Sequence, residues 1–467
     1  MTTQISKLIE RARSAQQHYD SYNQSQVDEV VTAAAWGIVN PKNNRLLAEM
    51  AVADTGLGNV EDKITKNRRK TMGLLRDLRT AKSVGVVAEY PEKGLVEIAR
   101  AVGVVGAIVP STNPAATPAN KTLNALKGRN AIVLAPSPKG DHTCAALVDI
   151  MRAELERVGA PVDLIQKLPS PINKADTEEL MQSVDLIVAT GSQNNVRNAY
   201  SSGTPAVGVG AGNVVSIVDE TADLAAAAQK IVTSKSFDNA TSCSSENNLI
   251  IVKQCYEAMM TALADNGAIR LSKDNKVILQ KAMWPEGKLN QAIIARTAGE
   301  IIGRAELSVA ASDTERARIL LVEESNYGPD APFSGEKLSP ILTVYQADDF
   351  DHAQELANGI MDYQGKGHSV SIHTNDAQRP LKMGLEMPVC RVIVNQIHCY
   401  ATGGNFDNGL PFSLSMGCGS WGENSISDNM NYRHYLNTTR VVRTIPTSEP
   451  SEQDIFGDYW QKYSCGS

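Results

Sequence analysis

The sequence has no apolar run approaching the ~18 residues of a membrane span, and its opening MTTQISKLIERARSAQQ has no apolar centre. Neither a membrane anchor nor a secretion signal is expected, and the chain reads as cytoplasmic. It has no block of like charge fit for a polyanion. The formal net charge is −7, and the one basic cluster is Lys66-Asn67-Arg68-Arg69-Lys70. That cluster lies inside a helical pattern and reads as a solvated helix face, so nucleic acid is not an expected partner. The seven cysteines, at 144, 243, 255, 390, 399, 418 and 465, are odd in number and form no CxxC pair. A disulfide framework and a zinc site are both disfavoured, in keeping with a reducing compartment. The histidines show no HExxH-like spacing, and no metal is expected.

With 467 residues, 42% of them hydrophobic and 21% charged, the chain has the balance of a globular protein of two or three domains. Ile5, Leu8, Ile9 and Ala12 share one helical face, as do Val27, Val30, Val31 and Ala34. Two or three helices therefore open the chain and stop at Asp54-Thr55-Gly56-Leu57-Gly58. Residues 83–100 read as two strands about a Pro/Gly turn. Short apolar strands then alternate with helices: strands at 102–109, 131–134, 164–168, 186–189, 206–209 and 216–218, helices at 119–126 and 144–158. Such alternation predicts a parallel sheet covered on both faces, with ligands beyond the carboxyl ends of the strands. Three loops leave those ends: Pro110 to Pro114, Pro136 to Gly140 and Thr190 to Asn194. The third has the form of a strand-to-helix turn able to meet a phosphate, without the full GxGxxG spacing.

After a helix at 224–233 comes Ser234 to Val252, SKSFDNATSCSSENNLIIV. Its centre is small and polar, and Leu249-Ile250-Ile251-Val252 reads as a buried strand. A cysteine on such a loop can be held rigidly with its sulfur facing a cleft. Nearby backbone N–H groups would lower its pKa, because the thiolate is the nucleophile. Buried packing is the competing reading, since free cysteine is commonly inert core. A second α/β region leads to a glycine-rich segment at 403–422, a last strand at 436–445 and a loosely held polar tail.

Five separated motifs, PSTNP (110–114), ATGS (189–192), GVGAGN (208–213), SCSSEN (242–247) and EKLSP (336–340), occur in the order seen in the aldehyde dehydrogenase superfamily. Across essentially the whole chain the sequence resembles that family, specifically its CoA-acylating branch. The resemblance implies an α/β fold with a Rossmann-like cofactor domain at 1–233 and a catalytic domain at 234–430. The 83–100 hairpin and the 431–467 strand and tail would form an oligomerisation flap, giving a homodimer or homotetramer. It implies Cys243 as nucleophile, and the Asn113 amide with the Cys243 N–H as oxyanion donors. Ser111, Thr112, Thr190, Gly191, Ser192, Gly210 and Glu336 would contact the nicotinamide cofactor. Where hydrolytic members carry a glutamate, the resemblance puts Gly208, so coenzyme A rather than water is the expected acyl acceptor. Glu246, at a strand entry, is expected to point away from the thioester. The family's ribose-binding lysine corresponds to Ala135, and Lys139 nearby favours NADP over NAD. A small anionic aldehyde is the expected substrate, sulfoacetaldehyde ahead of succinate semialdehyde, with Asn120, His398 and Tyr400 as contacts and Lys121 within reach. Bifunctional members continue into an iron-dependent domain; here aldehyde chemistry alone is expected.

Overall fold

The first three helices of the computed structural model, which describes residues 3–210 and 212–463, follow directly from their caps and apolar stripes. Helix α1 (Gln4–Tyr19) starts at Thr3, whose hydroxyl accepts from Ser6 N–H, and buries Ile5, Leu8, Ile9 and Ala12. Helix α2 (Gln24–Val39) opens with an Asn23/Gln26 capping box and buries Val27, Val30, Val31 and Ala34. Helix α3 (Pro41–Thr55) ends on Gly56, held left-handed at φ 66°. Helix α4 (Val60–Leu78) is different in kind: its inward face is Lys63, Lys66, Asn67, Lys70, Thr71 and Leu74.

Strands β1 (Gly85–Tyr90) and β2 (Leu95–Ala101) form an antiparallel hairpin. The next five strands make a wholly parallel sheet in the order β5-β4-β3-β6-β7. They are β3 (Val104–Val109), β4 (Ala131–Pro136), β5 (Ile165–Lys167), β6 (Leu186–Thr190) and β7 (Ala206–Val209). The intervening helices are α5 (Ala116–Lys127), α6 (Asp141–Arg157), α7 (Lys174–Ser183) and α8 (Gln193–Ser201). Strands β3 and β4 are buried along their full length, as parallel strands covered on both faces must be.

A second parallel sheet has the order β10-β11-β12-β9-β8-β13-β14. Its strands are β8 (Val214–Val218), β9 (Glu246–Val252), β10 (Ala268–Arg270), β11 (Ile319–Glu323), β12 (Ile341–Ala347), β13 (Val370–His373) and β14 (Val392–Val394). Helix α9 (Leu224–Ser236) packs its Ala227, Ala228, Ile231 and Val232 into the core under this sheet. The chain passes from the first parallel sheet to the second between β7 and β8. Strands β7 and β8 follow one another there with no helix between them among the described residues. Asn213, just before β8, donates from its amide to Ser334 O at 2.8 Å and Gln364 O at 3.2 Å in the second lobe.

Strand β15 (Leu436–Val442) returns to pair antiparallel with β2, completing a three-stranded sheet with the hairpin. Beyond it the tail is more ordered than its polarity suggests: Glu452–Tyr463 is a helix, with Ile455, Phe456 and Tyr459 exposed. Cys465, and Ala211 of the GVGAGN run, lie outside the described residues. Among the described residues no helix is long and apolar enough to cross a membrane.

Candidate active site

The carboxyl ends of the first parallel sheet face the loops that enter β9 and β12 of the second across one cleft of about 870 Å³. Ser111, Thr112 and Asn113 line it from the β3–α5 loop, and Thr190, Gly191 and Ser192 from the β6–α8 turn. Gly210, Cys243, Glu336 and Met416 also line it. The chain therefore gathers the nucleophile candidate and every cofactor contact expected from sequence except Lys139. That lysine is exposed on the turn after β4, whose Ser137 and Pro138 reach the cleft; Lys174 is a lysine among the lining residues. Ala135 lines the wall as well. At the β6–α8 turn, Ser192 accepts from Asn195 N–H, and the start of α8 offers further unpaired N–H groups of the kind that hold a phosphate.

Cys243 sits where α9 ends and β9 begins. Between them Asp238, Asn239 and Ala240 all have left-handed backbone, with φ of 49°, 52° and 59°. Three such residues in succession are strained and need outside support. Asp238 supplies it. Fully buried, its carboxylate accepts from Asn59 N–H (3.0 Å), Thr241 Oγ1 (2.7 Å), Lys63 Nζ (3.2 Å) and Lys66 Nζ. Burial pushes this carboxyl up, but the two ammonium groups win and hold it below its ordinary value. Lys66 goes on to donate to the Asn113 side-chain oxygen at 2.9 Å.

The thiol is not activated in the way its loop suggests. Burial and the Glu336 charge push Cys243 up to about 11, against the Ser244 hydroxyl, its own backbone N–H and Lys66, which pull it down. Glu336 is itself raised to about 7 by burial, offset in part by Lys235 and the Gly212 N–H. Glu246 is fully buried, does not line the cleft, and is pushed up to about 7 by the same desolvation.

The expected substrate contacts are mostly elsewhere. Asn120 is buried within α5. Lys121 donates to Ile108 O at 2.7 Å and Val188 O at 2.9 Å, tying β3 to β6. His398 is completely buried between the hydroxyls of Ser369 (3.0 Å) and Ser371 (3.2 Å). Burial holds it well below the usual histidine range, so it is neutral and is no anion contact. Tyr400 alone stays half-exposed. Its ring meets Phe237 edge-on at 4.8 Å and carries the Arg69 guanidinium on its face at 4.2 Å. The basic cluster of α4 is thus no solvated face: Lys66 and Lys70 are buried behind the cysteine, and Arg69 stacks beside them.

His368 was missed by sequence reasoning. A Cβ built on Gly212 would lie 2.3 Å from the Cys243 carbonyl oxygen and 3.2 Å from the His368 ring, so that glycine is wedged between the two. The Nδ1 of His368 is bonded to Ser369 Oγ at 2.8 Å, and its Nε2 has no partner. The Gly-His pair in GKGHS was the available signal. Gly208 is closely packed. It lies within β7, and a Cβ there would meet Val196 at 2.6 Å and Tyr200 at 3.0 Å, so a side chain would strike α8.

A sequence profile of the aldehyde dehydrogenase family matches residues 1–274. The chain belongs to the aldehyde dehydrogenase family. It is 55% identical to a sulfoacetaldehyde dehydrogenase (acylating) of Cupriavidus necator over 98% of this chain and 92% of that protein. An acetylating aldehyde dehydrogenase of Geobacillus thermoglucosidasius superposes with a TM-score of 0.91 at 36% identity, over 96% of this chain and 98% of the other. A Rhodopseudomonas palustris propionaldehyde dehydrogenase solved with bound CoA and an acylated cysteine superposes with a TM-score of 0.84 at 26% identity, over 94% and 97%. Cys243 itself is half-buried and lines the cleft, not a packed core.

Proposed function

We propose that the protein is a CoA-acylating aldehyde dehydrogenase for a small anionic aldehyde, with sulfoacetaldehyde as the substrate and sulfoacetyl-CoA as the product. The observation that carries this is one cleft uniting Cys243, the Asn113 amide and Glu336, into which the 208–213 run brings a glycine and no carboxylate. The Cys243 sulfur adds to the aldehyde carbon, and the oxygen takes up negative charge facing the Asn113 amide. The nicotinamide cofactor, when bound, supplies the hydride acceptor. Loss of hydride leaves a thioester on Cys243. With no carboxylate at the strand end to activate water, the acyl group passes to the thiol of CoA, and the cysteine is released.

The Thr190 to Ser192 turn fits the cofactor phosphates and Glu336 its ribose. NADP is favoured over NAD because Ala135 leaves no lysine for the adenosine ribose and Lys174 adds a cation to the wall. Arg69 and Tyr400, beside the buried ammonium groups of α4, suit a substrate ending in an anion. The six cysteines among the described residues are all free, which suits the cytoplasm. The test is an aldehyde panel with both cofactors, with and without CoA, read by cofactor reduction and by mass spectrometry. The reading requires a thioester product, highest kcat/KM for sulfoacetaldehyde over succinate semialdehyde and acetaldehyde, and dependence on CoA. Steady cofactor reduction without CoA, yielding the free acid, overturns it.

A further inference from the structure

Lys66 is a buried cation directly behind the reaction centre, and two roles compete for it: an anion contact for substrate, or a support for the catalytic groups. Its hydrogen bonds decide. An ammonium has three donors and no acceptor. The three donors of Lys66 already have three acceptors: the Asp238 carboxylate, Thr241 Oγ1 at 3.4 Å and Asn113 Oδ1 at 2.9 Å. None is left for a sulfonate or carboxylate.

The third bond has a directional consequence. The two ends of an asparagine amide look alike in shape and differ only in what they bond. Because an ammonium can only donate, Lys66 accepts nothing from an amide N–H and fixes the oxygen of Asn113 toward itself. The NH2 end must then turn away from Lys66. Its one recorded contact is a long 3.5 Å approach to Thr112 Oγ1, within a loop that lines the cleft with Cys243. The same ammonium holds Asp238, which supports the left-handed bend that delivers Cys243, and Thr241, two residues before the sulfur. One side chain on α4 thus ties the oxyanion donor of the first lobe to the nucleophile loop of the second.

We propose that Lys66 is a positioning residue: anchored by Asp238, it locks the Asn113 amide with its NH2 toward the developing oxyanion, and does not bind substrate itself. This rests on the thiohemiacetal chemistry proposed above. If that chemistry is wrong, the unmutated enzyme will show no CoA-independent burst of reduced cofactor. If only the role of Lys66 is wrong, the burst will be present and the variants will misbehave.

The experiment is a double-mutant cycle of Lys66→Met and Asn113→Ala in the full-length enzyme, following the burst and kcat and KM for sulfoacetaldehyde and for neutral acetaldehyde. Lys66→Met should slow the burst at least about 10-fold with both aldehydes and leave both KM values within about 2-fold. In the Asn113→Ala background the same change should cost less than about 3-fold, because nothing remains for Lys66 to orient. Lys66→Arg, which keeps a donor, should restore part of the rate. Two results overturn the proposal: a rise in KM confined to the anionic aldehyde, which makes Lys66 a substrate contact, or full additivity of the two substitutions. Should Lys66→Met fail to fold over the buried Asp238 charge, Lys66→Met/Asp238→Asn carries the same cycle without that carboxylate.

Discussion

At the scale of single residues, the chemistry depends on how burial sets each ionisable group. A thiol held near 11 is almost wholly protonated at neutral pH, and its thiolate fraction grows tenfold per pH unit below that value. The inactivation rate with iodoacetamide should therefore climb without a plateau from pH 7 to pH 10. Glu336→Gln removes the nearby negative charge, lowers the thiol pKa and should speed alkylation at pH 8. Asn113→Ala should lower kcat by about 10²–10³-fold, the typical effect of one lost oxyanion donor. Glu246 gives a test of stability. Its unfolded pKa is near 4.5 and its folded pKa about 7, so folding is unpenalised below pH 4.5 and fully penalised above pH 7, by roughly 3 kcal/mol. Glu246→Gln should accordingly raise the urea midpoint at pH 8.5 more than at pH 5.5. Sequence reasoning expected Cys243, Asn113 and Glu336 to meet, and the structure brings all three to one cleft, because loop motifs are written in consecutive residues. It misplaced His398 because a position after a strand end says nothing about which way the ring turns. Only the structure shows two serines enclosing it.

At the scale of elements, α4 is the piece that periodicity could not read. Lys63, Lys66, Asn67, Lys70 and Leu74 keep the spacing of a buried helix face but carry amines and an amide, the residue types associated with solvent. They are buried because acceptors wait for them: Asp238 for two of the lysines, and the carbonyls of Gly403 and Gly404 for Lys70. Apolar stripes, by contrast, made α1 and α2 legible almost to the residue. The glycine at 212 belongs to this scale too, since it lets one loop pass under another. Gly212→Ala would drive a methyl group into the Cys243 carbonyl oxygen. It should reduce the rate of cofactor reduction at least about tenfold, while the melting temperature moves by only a few degrees.

At the scale of the whole molecule, a parallel sheet and a second α/β region were foreseeable from strand–helix alternation, but the place of the 216–218 strand, β8, in the second sheet was not, because it depends on pairings distant in sequence. The sheet of β1, β2 and β15 leaves Val86, Tyr90, Val441 and Val442 exposed, and the terminal helix adds Ile455, Phe456 and Tyr459. We propose that this surface is covered by another copy of the chain. Light scattering should give a dimer or tetramer, and deletion of 436–463 should lower the mass to that of a smaller assembly. The lack of a carboxylate in the 208–213 run has a further consequence at this scale. Where a carboxylate drives water onto the acyl group, the free energy of oxidation is dissipated and the aldehyde cannot be regained. Here it is conserved in a carbon–sulfur bond that merely changes partner, so metabolite and redox ratios, more than the protein, set which way carbon flows.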